Sequence, residues 1–290
     1  MILNESFLDV DRDAFNGVDV LIVDPPYSAH VHANAVSAGT LGAGSKGYHH
    51  RDLGFAPLTA SDQAHLVMLA GRVKRYSVFF TDTEAVGSWK ACAAGFGVDY
   101  IRCVPWIRWS QPQKSGDRPG QQSESVVHFH RKGAKRWNGP GWLIAYGLDD
   151  EGRRMRTSLR GADKHPTEKP IDLMLDLVCW WSERGEVVAD THMGRGTTGL
   201  ACRLLERDFV GIESDPTWYR AAETRLNAKG LEPRDETRVA EWCATTIAES
   251  RRDLAKKEAG DGSDAKTRAR AEFRLKEAER LKKSAGRVAA

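Results

Sequence analysis

Three features of the sequence predict an α/β fold. Short apolar runs recur at residues 19–23, 77–80, 99–104, 125–129, 186–189 and 209–212, with amphipathic segments between several of them. One run, Val20-Leu21-Ile22-Val23, stops abruptly at Asp24-Pro25-Pro26-Tyr27. Another, Glu186 to Ala189, stops at Asp190 and leads into a glycine turn, Gly194-Arg195-Gly196-Thr197-Thr198; a helix and the strand Phe209 to Ile212 follow, closed by Glu213. A strand, glycine turn, helix and strand in that order build open α/β sheets, whose ligands lie outside the carboxyl ends of the strands.

Taken in order, Met1 to Leu3 form a short strand and Asp19 to Val23 the next. Residues 28–57 are rich in Gly, His, Ser and Ala without a period, and read as a mobile loop, either a plain connection or a lid over a site. A helix is expected from Ser61, as its cap, to Lys74, with Leu66, Leu69, Ala70 and Val73 on one face. Ser77 to Phe80 form a buried strand ending at Thr81-Asp82, and Asp99 to Val104 and Ser125 to Phe129 form two more. Pro170 opens a helix carrying Ile171, Met174, Leu175 and Val178 on one side. After the glycine turn a helix buries Leu200, Ala201, Leu204 and Leu205, and Asp215 caps another, with Pro216 in its first position.

Composition limits the class. The chain has 290 residues, 41% of them hydrophobic, enough for a sizeable core. No apolar run approaches the roughly 20 residues of a membrane span. Five cysteines, an odd number without a CxxC pair, suit reduced cytosolic thiols, and residues 1–10 lack the basic region of a secretory signal; a cytoplasmic location is the expectation. A net charge of +3 permits a nucleic-acid partner only where bases cluster.

The chemistry of the two strand ends is readable. Two successive prolines donate no ladder hydrogen bond, so they end the strand and hold Asp24 and Tyr27 at its carboxyl edge. A carboxylate accepts from an amino group and a tyrosine face stacks on a planar ring, which together suit an amino-bearing heterocycle. At the second site the glycines let a ligand approach the backbone, and Glu213 can grip two ribose hydroxyls. No lysine follows Gly196, so this is not a triphosphate loop. Asp190 would repel a pyrophosphate and favours a nucleoside with a cationic tail; S-adenosylmethionine fits better than NAD.

A third region mixes tryptophans and bases: Trp106, Arg108, Trp109, Arg131 and Lys132, with Lys135, Arg136 and Trp137 beyond. It reads as a nucleic-acid contact surface, with cations for phosphates and rings for unstacked bases, or as a solvated loop. His49-His50 and His128-Phe129-His130 lack further ligands at metal-site spacing, so no metal is expected.

These residues resemble the amino-methyltransferases of DNA that modify adenine N6 or cytosine N4, in the group whose catalytic motif precedes the cofactor motif. The matching segments are Asp24-Pro25-Pro26-Tyr27; His165 to Pro170; Asp190 to Thr198; and Phe209 to Glu213, spread over residues 1–228. The resemblance implies a Rossmann-like, S-adenosylmethionine-dependent methyltransferase fold with a mixed, mostly parallel sheet, helices on both faces and a circularly permuted motif order. It implies that Asp24 and the Pro25 carbonyl bond the target amine, with Pro26 and Tyr27 completing the catalytic motif and Tyr27 stacking on a flipped base. Lys169, Pro170, Asp190, Thr191, Met193, Gly194, Gly196, Thr197 and Glu213 would bind the cofactor, and Glu5 would face its adenosine. Double-stranded DNA is the implied partner, and the short specificity region suggests a homodimer; whether a restriction nuclease accompanies the protein is not legible.

Two departures stand out. The family usually has Asp-Pro-Phe before its turn and a small residue between the glycines, whereas this chain has Asp190-Thr191-His192-Met193 and Arg195. Met193 is expected to replace the aromatic against the adenosine. An acid at position 24 favours adenine N6 over cytosine N4. Cytosine C5 chemistry is excluded, because none of the five cysteines follows a proline. Two further readings are a protein or RNA methyltransferase, which carries a similar motif in the opposite order, and a DNA-binding module with a vestigial pocket. The expected organisation is a methyltransferase unit over 1–230, containing the 28–57 loop and a target-recognition insertion at 106–164, followed by a charged helical extension over 231–290. That extension has only Phe273, Leu275 and Leu281 as apolar anchors in its last helix, and reads as solvated or as a contact for DNA or a partner.

Overall fold

The computed structural model describes residues 1–33, 36–40, 46–50, 54–107, 123–131, 133–134, 137–140, 145–147, 168–258 and 265–288. In chain order the elements are β1 (Ile2–Leu3), β2 (Val20–Val23), α1 (Ala29–Ala33), β3 (Val36–Thr40), β4 (Lys46–His50), α2 (Ala60–Ala70), β5 (Tyr76–Thr81), α3 (Val86–Ala93), β6 (Val98–Ile107), β7 (Ser123–Arg131), α4 (Ile171–Trp181), β8 (Val187–Asp190), α5 (Thr197–Leu205), β9 (Asp208–Ile212), α6 (Pro216–Asn227), α7 (Pro233–Glu258) and α8 (Ala265–Val288). A 3₁₀ turn, Arg12–Phe15, precedes β2.

Among the described residues seven strands form one sheet, ordered β1-β9-β8-β2-β5-β7-β6, and β3 and β4 form a separate antiparallel pair. The strands β1, β9, β8, β2 and β5 are parallel; β7 and β6 are antiparallel additions. This is the expected mixed, mostly parallel sheet. Side chains of a strand alternate between faces, and here both faces are covered. Val20, Ile22, Val78, Phe80 and Val126 pack with α4 and α5, while Leu21, Val23, Phe79, Val127 and Phe129 pack with α2 and α3. All four residues of β2 are therefore fully buried, which explains why its sequence reads as an unbroken apolar run.

The topology decides where the two motifs meet. From β8 the chain passes through α5 to β9 on one side, and from β2 through α2 to β5 on the other. The strand order thus reverses between β8 and β2, and a crevice opens at such a switch point, outside the carboxyl ends. β2 and β8 pair in register, Val20 with Val188 and Leu21 with Ala189. Asp24 and Asp190 therefore leave adjacent strands, which lie about 4.8 Å apart.

Two local expectations need correction. Thr59, not Ser61, caps α2, in a capping box with Asp62, and the helix ends at Ala70 rather than Lys74. The reciprocal Thr59–Asp62 pair satisfies two free backbone N–H groups, more than a lone Ser61 could. Beyond the sheet, α7 and α8 pack on α4 instead of standing in solvent. Val239, Trp242, Cys243, Ala271, Ala278 and Leu281 are buried, and the Trp242 indole N–H donates to Asp176 at 2.8 Å. Their spacing of three, four and seven residues makes an apolar stripe, in which Ala271 and Ala278 of α8 are small side chains that a search for large anchors overlooks. Charges on the same face are partnered: Arg238 with Asp172 at 2.7 Å, and Arg207, itself fully buried, with Glu277.

Candidate functional site

The site grows from the end of β2. Pro25 is buried, and the chain beyond it is anchored by Asp82 at the end of β5, whose carboxylate accepts from the Ser28 N–H at 3.1 Å and the Ala85 N–H at 2.9 Å. A bond from the Leu58 N–H to the Tyr27 carbonyl, 3.1 Å, holds the other side. The Asp24 carboxylate is divided. Its Oδ2 lies 2.5 Å from the Lys169 ammonium, while its Oδ1 is buried and accepts no hydrogen bond among the described residues. A buried acceptor left open in this way is costly unless a ligand donor fills it.

Lys169 immediately precedes Pro170, the N-cap of α4. Its ammonium is 3.5 Å from Glu124 and lies over the rings of Phe80 at 4.8 Å, Tyr27 at 5.5 Å and Trp106 at 5.7 Å. The Tyr27 hydroxyl donates to Glu124 Oε2 at 2.5 Å. The expected cofactor ligand Lys169 thus stands beside Asp24 rather than in the glycine turn, and Glu124 joins this corner without having been anticipated. Glu124 is the second residue of β7, opposite Trp106 and one residue before the strand expected from Ser125, and only the register of β6 with β7 brings it to the carboxyl edge.

The second corner is built at the end of β8. The Asp190 carboxylate accepts from the Thr198 hydroxyl at 2.5 Å and the His192 N–H at 3.0 Å. Burial raises its pKa to about 7, despite those bonds, and the nearby charges of Asp24 and Glu213 push the same way. Gly194 and Gly196 have φ of +51° and +75°, which only glycine adopts without strain. A Cβ on Gly196 would also sit 3.2 Å from the Ala222 methyl of α6. Gly196→Ala is accordingly expected to cost about 1–3 kcal/mol of unfolding free energy, measured by urea denaturation. Glu213 ties the turn to α6, accepting from the N–H groups of Gly194 and Asp215, each at 2.9 Å.

The departures around the turn have physical explanations. The Met193 side chain is buried against Gly211 of β9, and it is the His192 ring that faces Phe7, with centroids 4.6 Å apart. The Thr191 hydroxyl lies 3.0 Å from His192 Nδ1, and burial lowers the His192 pKa to about 4, so the ring is neutral at neutral pH. Arg195 belongs to an ion network. Glu168 pairs with Arg225 at 2.9 Å, Arg234 at 2.8 Å and Arg195 at 3.5 Å, and Arg195 also reaches Glu232 at 2.8 Å. Thr197 joins it, donating to Glu168 at 3.3 Å and accepting from Arg225 at 3.1 Å. The large residue between the glycines therefore fastens the turn to Glu168, ahead of α4, and to the segment leading into α7. A cavity of about 610 Å³ lies beside this network, lined by Arg195, Arg220, Arg225 and Glu232 among others, away from Asp24.

The described residues do not bring the expected nucleic-acid surface together. Trp106 is 3% exposed and packs edge-on against Phe80, so it lines the corner around Lys169 and offers no face to a duplex. Arg131 is exposed, but its N–H bonds the Arg75 carbonyl at the amino-terminal end of β5. Because β7 runs antiparallel, the six-residue length of β5 puts Arg131 roughly 20 Å from the edge that carries Asp24. Arg108, Trp109 and Lys132 lie outside the described residues, as do residues 34–35, 41–45 and 51–53; the rest of the 28–57 segment, expected as a mobile loop, contains α1 and the antiparallel β3–β4 pair. His128, considered for metal, is buried and bonds the Tyr146 hydroxyl at 2.7 Å.

Comparison with known proteins bears on this geometry. A family profile described as DNA methylase, covering N6 and N4 enzymes, matches residues 74–224, just over half of the chain. The Type II methyltransferase M2.LlaDCHI of Lactococcus lactis subsp. cremoris is 33% identical over 76 residues, 26% of this chain and 28% of that protein. M2.DpnII of Streptococcus pneumoniae is 35% identical over 68 residues, 23% of this chain and 25% of that protein. The chain thus spans about a quarter of the length of these relatives. Among solved structures, an M1.HpyAVI–SAM complex superimposes with a TM-score of 0.55 at 24% identity, covering 78% of this chain and 99% of that one. The PvuII DNA methyltransferase, described as cytosine-N4-specific, gives 0.55 at 13% identity, covering 83% and 90%. At such identities the likeness concerns the fold.

Proposed function

Since the chain belongs to the N6/N4 DNA methylase family, we propose that it transfers a methyl group from S-adenosylmethionine to the exocyclic amine of a base flipped out of double-stranded DNA, adenine N6 in the first instance. The observation that carries this reading is the open, buried Oδ1 of Asp24 on the strand adjacent to Asp190. In it, residues 1–230 form the methyltransferase unit, 106–164 the target-recognition insertion and 231–290 the extension.

The residues at the β8 corner suit the cofactor. Asp190 is a buried carboxyl that holds its charge poorly alone, and a cationic ligand would stabilise the ionised form. Gly194 and Gly196 leave room for the methionine part, Glu213 has lone pairs for ribose hydroxyls, and Phe7 with His192 offers flat apolar faces to an adenine. When bound, the cofactor supplies an electrophilic methyl on a sulfonium.

The other groups act on the base. An exocyclic amine is a poor nucleophile because its lone pair is delocalised into the ring. Donating one N–H to Asp24 Oδ1 and the other to the Pro25 carbonyl draws the nitrogen toward tetrahedral geometry and frees that pair. Lys169 keeps Oδ2 occupied, so the carboxylate is oriented and presents a single open oxygen. Tyr27 stacks on the ring, positioning and electrostatics carry the transfer without a covalent enzyme intermediate, and the proton that the methylated nitrogen must lose would pass to Asp24 and on to solvent.

The acid at position 24 favours adenine. Labelled cofactor incubated with unmethylated DNA, followed by digestion to nucleosides, is expected to yield N6-methyladenine. Label in N4-methylcytosine would reverse the choice of base, and cofactor binding without transfer to DNA would leave only a binding module.

A further inference from the structure

We infer that Glu124 is a positioning residue for methyl transfer, acting through Tyr27 and Lys169; this rests on the function proposed above. β7 places Glu124 on the same face as Val126 and His128, which are almost fully buried. At 8% exposure, a carboxylate there is costly where an apolar side chain would serve the core as well. Its partners give it a use. It accepts the Tyr27 phenolic O–H at 2.5 Å and stands 3.5 Å from the Lys169 ammonium, which itself lies 2.5 Å from Asp24.

Two consequences follow. A phenyl ring stacks on a base as well as a phenol does, so the hydroxyl of Tyr27 matters for where the ring is held. Bonded to Glu124, the ring cannot swing about its χ angles and keeps one orientation as the base arrives. Lys169, for its part, is held between two carboxylates beneath the rings of Phe80 and Trp106, so it cannot turn across Asp24 and cover Oδ1. Glu124 therefore fixes both the stacking face and the open oxygen while touching neither substrate.

The test is a cycle on the full chain, with labelled S-adenosylmethionine and unmethylated genomic DNA, comparing Glu124→Ala, Tyr27→Phe, the double variant and Glu124→Gln. Tyr27→Phe is expected to lower kcat about 30-fold, and Glu124→Ala about 100-fold because it also releases Lys169, with cofactor affinity by calorimetry within about twofold of wild type for both. The double variant should match Glu124→Ala at about 100-fold, not the roughly 3,000-fold product, because Tyr27→Phe breaks a link that Glu124→Ala has already broken. Glu124→Gln keeps an acceptor for the phenol and should recover to within about fivefold of wild type. Multiplicative losses, or a Gln variant as slow as Ala, would overturn the inference. Should Glu124→Ala unfold, Tyr27→Phe alone decides, since it keeps the ring and its packing: wild-type kcat refutes the link, and a loss at unchanged cofactor affinity supports it. Wild-type protein that methylates no DNA overturns the proposed function and this inference with it, whereas an active wild type indifferent to these substitutions overturns only the inference.

Discussion

Replacing Asp24 with alanine is expected to lower kcat for methyl transfer by about 10³-fold while leaving cofactor affinity within about threefold, because the lost acceptor acts on the base and not on the cofactor. The size follows from the geometry. In the proposed reaction Oδ1, buried and without a hydrogen bond among the described residues, is the acceptor that draws the target amine out of conjugation, and a preorganised hydrogen-bond partner of this kind contributes about 10²–10³-fold on its own. Misplacing the amine adds to the loss. Asp24→Asn keeps an oxygen but drops the charge that pairs with Lys169, and should fall between the two, about 10²-fold below wild type. Lys169 retains Glu124 as a partner in either variant, so thermal unfolding should remain cooperative. Single-turnover rates alongside calorimetric cofactor binding check all of this. An alanine variant that still methylates DNA at the wild-type rate would remove Asp24 from the mechanism.

The second large effect concerns Asp190 and pH. Its folded-state pKa of about 7 lies above the ordinary 3.8 of an unfolded aspartate. Between those values the folded protein binds a proton that the unfolded chain does not, so this group's contribution to stability falls as pH rises through about 4 to 7. The slope reaches about 1.4 kcal/mol per pH unit. A cationic ligand requires the ionised carboxylate, so cofactor affinity should move the other way. It is expected to rise about tenfold per pH unit below 7 and level off above it. Asp190→Asn should flatten that dependence and weaken binding by about 10²-fold at pH 7.5. The asparagine can still accept from the His192 N–H while donating to a rotated Thr198 hydroxyl, so the variant should be more stable than wild type at pH 8 in the absence of cofactor. Thermal unfolding between pH 5 and 8, with and without cofactor, separates the two effects. Cofactor affinity independent of pH in the wild type would place the cationic group elsewhere.

Much of this protein was legible from residue order alone. The apolar run of β2 ending in two prolines, and the strand–glycine turn–helix–strand unit from β8 to β9, depend on local rules: which backbone angles a residue tolerates and which N–H groups it can donate. Those rules located Asp24, Asp190, Gly194, Gly196 and Glu213, since each stands beside the strand end that presents it. Residues whose placement depends on long-range pairing were not readable in this way. Glu124 reaches Tyr27 across 97 positions only through the antiparallel register of β7. Arg131 looked like a phosphate contact until that same direction carried it to the far edge of the sheet, and Trp106 became a wall of the site because β6 buries it. Arg195 broke the expected glycine pattern, and its reason, Glu168 and Glu232, lies 27 and 37 residues away. Sequence thus determined which chemical groups stand at the strand ends, because backbone stereochemistry is local. The tertiary structure decided which charges share a buried space, because burial and Coulomb energy depend on distance in three dimensions and not on separation along the chain.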